Sequence, residues 1–206
     1  MANATFWDKA AKKYAASPIK DIPAYEATLD RARHYLRADD HLLEIGCGTG
    51  TTALTLSDSV GRIAATDVSA KMLAIAEGKQ ADQGITNVTF LQAEVMKPLA
   101  DAPFDAICAF SILHLVDDLP ETLMHLREQL KPGGYVISKT ACLRDMNRFI
   151  RVMVKVMKLF GKAPDVLIFS AGELERAFKR TGFEVIEAGY FGKNKYARFV
   201  VARRPA

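Results

Sequence analysis

The sequence predicts an α/β domain: a mostly parallel, doubly wound sheet with helices on both faces and an antiparallel strand from the C-terminal end. Three observations predict it. From residue 41 onward, short apolar runs alternate with amphipathic helical segments, the pattern of a parallel sheet built from crossovers. A glycine-rich turn, Gly46-Cys47-Gly48-Thr49-Gly50, joins the first apolar run to the first helix of that series. Two β-rich runs linked by Gly-Lys-Asn-Lys then close the chain as a hairpin. Composition agrees. Of 206 residues, 50% are apolar and 25% charged, which excludes disordered, collagenous and disulfide-scaffold classes. The length suits a single domain spanning 1–206.

The elements follow in order. Residues 6–15 carry helix formers, Pro18 and Pro23 then interrupt, and 24–36 place Leu29, Ala32, Arg33 and Leu36 at helical spacing. Runs 41–46, 62–67, 87–94, 104–113 and 135–141 read as strands. Between them, 51–59, 69–84 and 119–130 read as helices. Ser69 is placed to cap the second of these and Gly84 to end it, while Lys131-Pro132-Gly133-Gly134 stops the third. Residues 144–162 form one long basic helix. Residues 170–182 form another, opened by a Ser170/Glu173 capping box, and 183–191 with 197–204 form the final hairpin.

Several partner classes are disfavoured. The chain holds 28 Lys and Arg against 24 Asp and Glu, a net of +4, which is small for a nucleic-acid reader. The three cysteines Cys47, Cys108 and Cys142 are odd in number and widely spaced, matching neither a disulfide framework nor a CxxC metal pair. With no signal-peptide core and no apolar run long enough for a membrane span, the expectation is a cytoplasmic protein without a metal.

The strongest chemical signal is the glycine turn. Gly46, Gly48 and Gly50 remove Cβ atoms at alternate positions, so a ligand can lie on the backbone, and the turn ends at a helix N-terminus that favours an anion. The GxGxG spacing differs from the dinucleotide GxGxxG, because position 51 is Thr51. Strand 62–67 ends at Asp67, 17 residues past Gly50, where an acid can accept both hydroxyls of a ribose or simply cap a helix. Glu94 closes the next strand, where an adenine ring could rest.

These motifs resemble the class I S-adenosylmethionine-dependent methyltransferases. LEIGCGTG, the acidic end of RIAATD, QAEV, FDAICAFSILHLV and LKPGGYVIS occur in the family order over residues 40–140, and the final hairpin matches as well. The resemblance implies a Rossmann-like, seven-stranded sheet with its last strand antiparallel, and S-adenosylmethionine as cofactor. By position it implies that Gly46, Cys47 and Gly48 line the methionine part, with Glu44 holding the turn or its ligand. Asp67 would take the ribose, Val68 and Met72 would pack on the adenosine, and Ala93, Glu94 and Val95 would flank the adenine. Phe110 and Ser111 would lie under the sulfonium. Residues 1–38 would form an N-terminal lid and 142–170 a helical substrate cover.

Methyl transfer from a sulfonium is an in-line displacement that rests chiefly on alignment and exclusion of water. A base is needed only if the acceptor must lose a proton. Two side chains are candidates for catalysis. His114 could accept a proton or orient the acceptor, or could be a partly buried histidine bonded to backbone. Tyr14 could close over the methionine moiety, or pack as an aromatic staple with Trp7. The motif of exocyclic amino-group methylation is absent, since its position reads Phe110-Ser111-Ile112-Leu113. A small, fairly apolar or lipid-like acceptor is expected, with no nucleic-acid partner. The alternatives are a nicotinamide-dependent oxidoreductase and a non-catalytic cofactor-binding or membrane-surface protein.

The charge is unevenly spread. Residues 1–141 carry a net of −4 and residues 142–206 a net of +8. Arg144, Arg148, Arg151, Lys155, Lys158 and Lys162 fall on one stripe of the 144–162 helix, with methionines, Phe149 and Phe160 opposite. That pattern suits a lid, a weak membrane-surface contact or a core-packed helix.

Overall fold

The computed structural model describes residues 4–159, 163–192 and 195–206. A seven-stranded sheet forms the centre: β1 (His41–Ile45), β2 (Arg62–Asp67), β3 (Val88–Gln92), β4 (Phe104–Phe110), β5 (Leu130–Ala141), β6 (Glu184–Gly189) and β7 (Ala197–Arg203). Its order is β3-β2-β1-β4-β5-β7-β6. Neighbours are parallel from β3 to β5, and β7 runs antiparallel to both β5 and β6. The chain reverses its direction of winding between β1 and β4. In a sheet of this kind that is where strand ends diverge and a crevice opens.

Helices α1 (Ala4–Ala15), α2 (Ile22–Arg33), α3 (Thr51–Leu56), α4 (Ala70–Gln83), α5 (Leu119–Gln129), α6 (Arg148–Leu159) and α7 (Ala171–Arg180) surround it. Alternation along each strand feeds two cores. On one face Leu29 and Ala32 of α2, Leu54 and Leu56 of α3 and Leu73 of α4 meet Leu42, Ile63, Cys108, Ile137 and Phe199. On the other, Leu123 and Leu126 of α5 and Leu174 and Phe178 of α7 meet Leu43, Ile107, Val136 and Val200.

Local chemistry sets the boundaries. Ser69 Oγ accepts the Met72 N–H to open α4, and Gly84 closes it at φ 65°. The Ser170/Glu173 capping box is present in both directions. Three segments depart from the sequence pattern. Pro23 begins α2 rather than interrupting it, because its ring sits in the first turn, where no N–H partner is needed, and Asp21 caps that turn through the Ala24 N–H at 3.1 Å. No glycine stop separates α5 from β5: the strand starts at Leu130, and Gly133 and Gly134 lie inside it. The long basic helix is also broken. Residues 143–145 form a 3₁₀ turn, Arg144 pairs with Glu173, and α6 starts only at Arg148. Arg144 is therefore off the stripe, while Phe160 and Lys162 lie outside the described residues.

The first two helices dock differently. In α1, Asp8 accepts hydrogen bonds from the Ser69 hydroxyl at 2.6 Å and the Lys71 N–H at 3.2 Å, seating the helix on the start of α4. In α2, Arg31 donates to Glu187 of β6 at 2.7 and 2.9 Å, and the Tyr35 hydroxyl donates to the same carboxylate at 2.6 Å.

Phe178 is fully buried and remote from the crevice. Phe178→Ala should lower the unfolding free energy by about 3–5 kcal/mol. Urea denaturation checks this, with ligand affinity of the folded fraction unchanged.

Candidate functional site

The turn between β1 and α3 forms one wall of the crevice. Gly46, Gly48 and Gly50 all take left-handed conformations, with φ of 64°, 55° and 71°. Their surroundings differ. A Cβ at Gly46 would come within 2.8 Å of Ile112, and one at Gly50 within 2.6 Å of Ala76. Those two positions need glycine for internal packing. A Cβ at Gly48 would meet only the Tyr14 ring, at 3.8 Å, so Gly48 supplies the open, Cβ-free surface. The helix that follows, α3, has only six residues, and Gly50 at its N-terminus makes no side-chain cap.

Asp67 clamps this turn. Its Oδ2 accepts the Gly48 N–H and its Oδ1 the Ser69 N–H, each at 2.9 Å. Each oxygen keeps a further lone pair for a ribose hydroxyl. Burial raises the pKa of Asp67, while N–H groups of Ser69, Gly48 and Val68 work against that shift.

Glu44 on β1 is only 3% exposed. It accepts a hydrogen bond from the Ala53 backbone. Its Oε2 is buried with no hydrogen-bond partner, and burial pushes its pKa up to about 8. An orphaned buried oxygen of this kind calls for a ligand donor.

Beside Glu44 lies a cavity of about 550 Å³, within the size range of small-molecule sites. Tyr14, Tyr25 and Thr28 line it from the N-terminal helices, Glu44, Gly46 and Cys47 from the first turn, and Phe110, Ser111 and Lys139 from β4 and β5. Ser111 holds φ 56°, a strained value for a residue with a side chain, and its N–H donates to the Lys139 carbonyl at 2.8 Å.

Tyr14, Glu44, Gly46, Cys47, Phe110 and Ser111 thus share one cavity, with Gly48 and Asp67 joined to it through the turn. Other expected residues lie elsewhere. Val68, Met72, Ala93, Glu94 and Val95 are outside the lining; Met72 is 2% exposed beneath its helix, whereas Glu94 faces solvent. His114 is also outside the lining. Burial lowers its pKa to about 4 and leaves Nδ1 without a partner, so the ring is neutral at pH 7. Among the described residues from 142 to 170, none lines the cavity. Cys47 is buried, which raises its thiol pKa and keeps it protonated. Among the described residues, no group of three His, Cys, Asp or Glu is placed to hold a metal.

The sequence pattern overlooked Tyr25, Thr28, Lys79 and Lys139. Lys79 donates to the Thr49 carbonyl, the Thr49 hydroxyl and the Thr51 hydroxyl at 2.9–3.1 Å, bracing the turn from α4.

A glycine turn clamped by the acid of β2, beside a crevice at the reversal of strand order, defines a nucleoside-binding Rossmann-like domain. The chain matches the family described as "Methyltransferase domain" over residues 19–188 and belongs to it, and thus to the class I S-adenosylmethionine-dependent methyltransferases. It is 29% identical over 160 residues to O-methyltransferase resE of Aspergillus sclerotiorum, covering 76% of this chain and 59% of that protein. It is 32% identical over 127 residues to the demethylmenaquinone methyltransferase of Symbiobacterium thermophilum, covering 58% and 49%. The chain therefore spans only about half to three-fifths of these relatives' lengths. The fold matches a SAM-dependent methyltransferase from Aquifex aeolicus with a TM-score of 0.72 and 22% identity, over 98% of both chains.

The residues present fit S-adenosylmethionine, the cofactor of this family. Its ammonium suits the orphaned Glu44 oxygen, its ribose suits Asp67, and its sulfonium end has space beside Phe110 and Ser111. Two consequences can be measured. In the free protein the folded state keeps the Glu44 proton that the unfolded chain releases near its ordinary pKa of 4.5. Stability should therefore fall as pH rises from about 4.5 towards 8, and Glu44→Gln should flatten that slope. An ammonium beside Glu44 should also drive its ionisation. Calorimetry of S-adenosylhomocysteine binding at pH 7, in buffers of different ionisation enthalpy, should show proton release in the native chain and none in Glu44→Gln.

Proposed function

We propose that the chain transfers a methyl group from S-adenosylmethionine to a small, largely apolar acceptor by in-line displacement. The observation that carries this is Glu44: a buried carboxyl, with Oε2 unpartnered, lining the cavity beside the Asp67-clamped turn. When bound, the cofactor supplies an electrophilic methyl on a good leaving group. The protein's part is to bind, align and exclude water. Glu44 holds the ammonium, Asp67 the ribose hydroxyls, and Gly48 gives the close approach. Phe110 and Ser111 flank the methyl, and Tyr14 covers the methionine moiety from α1. Val68 and Met72 pack near the adenosine, with Ala93, Glu94 and Val95 around the adenine. His114 lies apart from the cavity lining, so no protein base is assigned to the transfer.

An apolar acceptor is supported by the aromatic part of the cavity wall, Tyr14, Tyr25, Phe110 and Phe191, and by the activities that name the relatives, an O-methyltransferase and a demethylmenaquinone methyltransferase. Three buried, unpaired cysteines support a reducing, cytoplasmic setting. No described helix is long and apolar enough to cross a membrane.

A surface contact is favoured by α6. Phe149 is 69% exposed and Met153 54%, with Val156 and Ile150 also exposed. The sequence places Arg148, Arg151, Lys155 and Lys158 along the stripe between the edges of that apolar arc. An apolar face opposite a cationic one is the pattern of a helix lying on an anionic lipid surface, which would bring a lipid-like acceptor close.

Calorimetric titration tests the main proposal. S-adenosylhomocysteine should bind and NADH should not, and the reverse would sink it. Asp67→Ala should weaken S-adenosylhomocysteine by about 10–100-fold, the loss of one or two hydrogen bonds to a charged acceptor. The chain should also co-sediment with phosphatidylglycerol vesicles at low salt and release as salt rises, and Phe149→Asp with Met153→Asp should abolish binding. No sedimentation at low salt would remove the surface contact alone.

A further inference from the structure

Among the described residues, three cations line the cavity: Lys20, Lys79 and Lys139. Lys20 is exposed, and Lys79 has three hydroxyl and carbonyl acceptors. Lys139 differs from both. It sits half-buried between β5 and α2, where Nζ donates to the Thr28 hydroxyl at 2.7 Å and more weakly to the Ala24 carbonyl at 3.4 Å. Both acceptors are neutral, and the Thr28 hydroxyl already donates its own proton to Ala24 at 2.6 Å. No carboxylate lies within ion-pair distance of Lys139 among the described residues. The acid that acts on it from a distance, Asp21, caps α2 through Oδ1 and makes no direct ion pair with the lysine.

The surroundings are apolar. Lys139 pairs in register with Phe110 on one side and Phe199 on the other. Taking a cation out of water without a counter-charge is costly, and burial pulls this lysine's pKa down accordingly. The cavity as a whole has the same imbalance. Its acids are Asp21 and Glu44, and Glu44 is largely protonated at pH 7 in the free protein.

We propose that Lys139 forms an acceptor subsite for an anionic oxygen, so that the acceptor is an apolar molecule carrying one carboxylate or ionised hydroxyl. Position supports this. The Lys139 carbonyl holds the N–H of Ser111, one of the two residues assigned to flank the methyl, so the ammonium and the transfer position belong to adjacent strand ends. A ligand oxygen supplies the missing counter-charge and takes the remaining N–H. The inference rests on the methyltransferase function proposed above and deepens it by naming the acceptor's charge.

The test uses the full chain saturated with S-adenosylhomocysteine and three matched probe pairs: benzoate with benzamide, indole-3-acetate with its amide, and decanoate with decanamide. Ligand-observed NMR should show at least one acid binding about tenfold or more tightly than its amide. Lys139→Met should erase that difference while still binding S-adenosylhomocysteine, and Lys139→Arg should keep it. Amides binding as tightly as acids, an acid preference that survives in Lys139→Met, or no acid binding at all would each overturn the subsite. Failure of S-adenosylhomocysteine to bind the native chain would instead remove the methyltransferase reading beneath it.

Discussion

The Asp67 carboxylate is the constraint on which the rest of the site depends. One oxygen holds the N–H of Gly48 and the other the N–H of Ser69. That single group therefore ties the β1–α3 turn to the start of α4, two loops that leave the sheet at neighbouring strands. It keeps Gly48 left-handed and its face open. It also fixes Ser69, whose hydroxyl caps α4 and bonds to Asp8 of α1. The seat of the first helix and the cradle for a nucleoside thus share one acid, and movement at either end is felt at the other.

The chemistry that follows is electrostatic more than acid–base. The cavity combines a carboxyl that burial keeps protonated with a lysine whose direct partners are neutral. Such groups are destabilising in the free protein and gain when ligands bring the complementary charge. The sulfonium displacement proposed above needs alignment and a dry site, and Glu44, Phe110, Ser111 and Lys139 line one cavity where both would be set.

Much of this was legible in the sequence. Strand–helix alternation gave the layers, because short apolar runs and capped amphipathic segments each reflect a local rule. Ser69, Gly84 and the Ser170/Glu173 box marked helix ends correctly because capping is decided within a few residues. Glycine spacing located the turn. It did not show which glycine faces outward, since that depends on Ile112, Ala76 and Phe90 arriving from elsewhere in the chain. The basic stripe looked continuous through residue 144, but Asn147 accepts the Phe149 N–H and Arg144 turns away to Glu173. Lys139 was invisible: inside YVISKTA it resembles an ordinary strand lysine, and its partner Thr28 lies 111 residues away.

A crystal structure of the chain with S-adenosylhomocysteine tests the central claim most directly. It should place the ligand's amino group within hydrogen-bond distance of Glu44 Oε2 and its ribose hydroxyls on Asp67, with the sulfur beside Phe110 and Ser111. Ligand density away from the β1–β4 crevice, or in it with Glu44 Oε2 still unpartnered, would contradict the account.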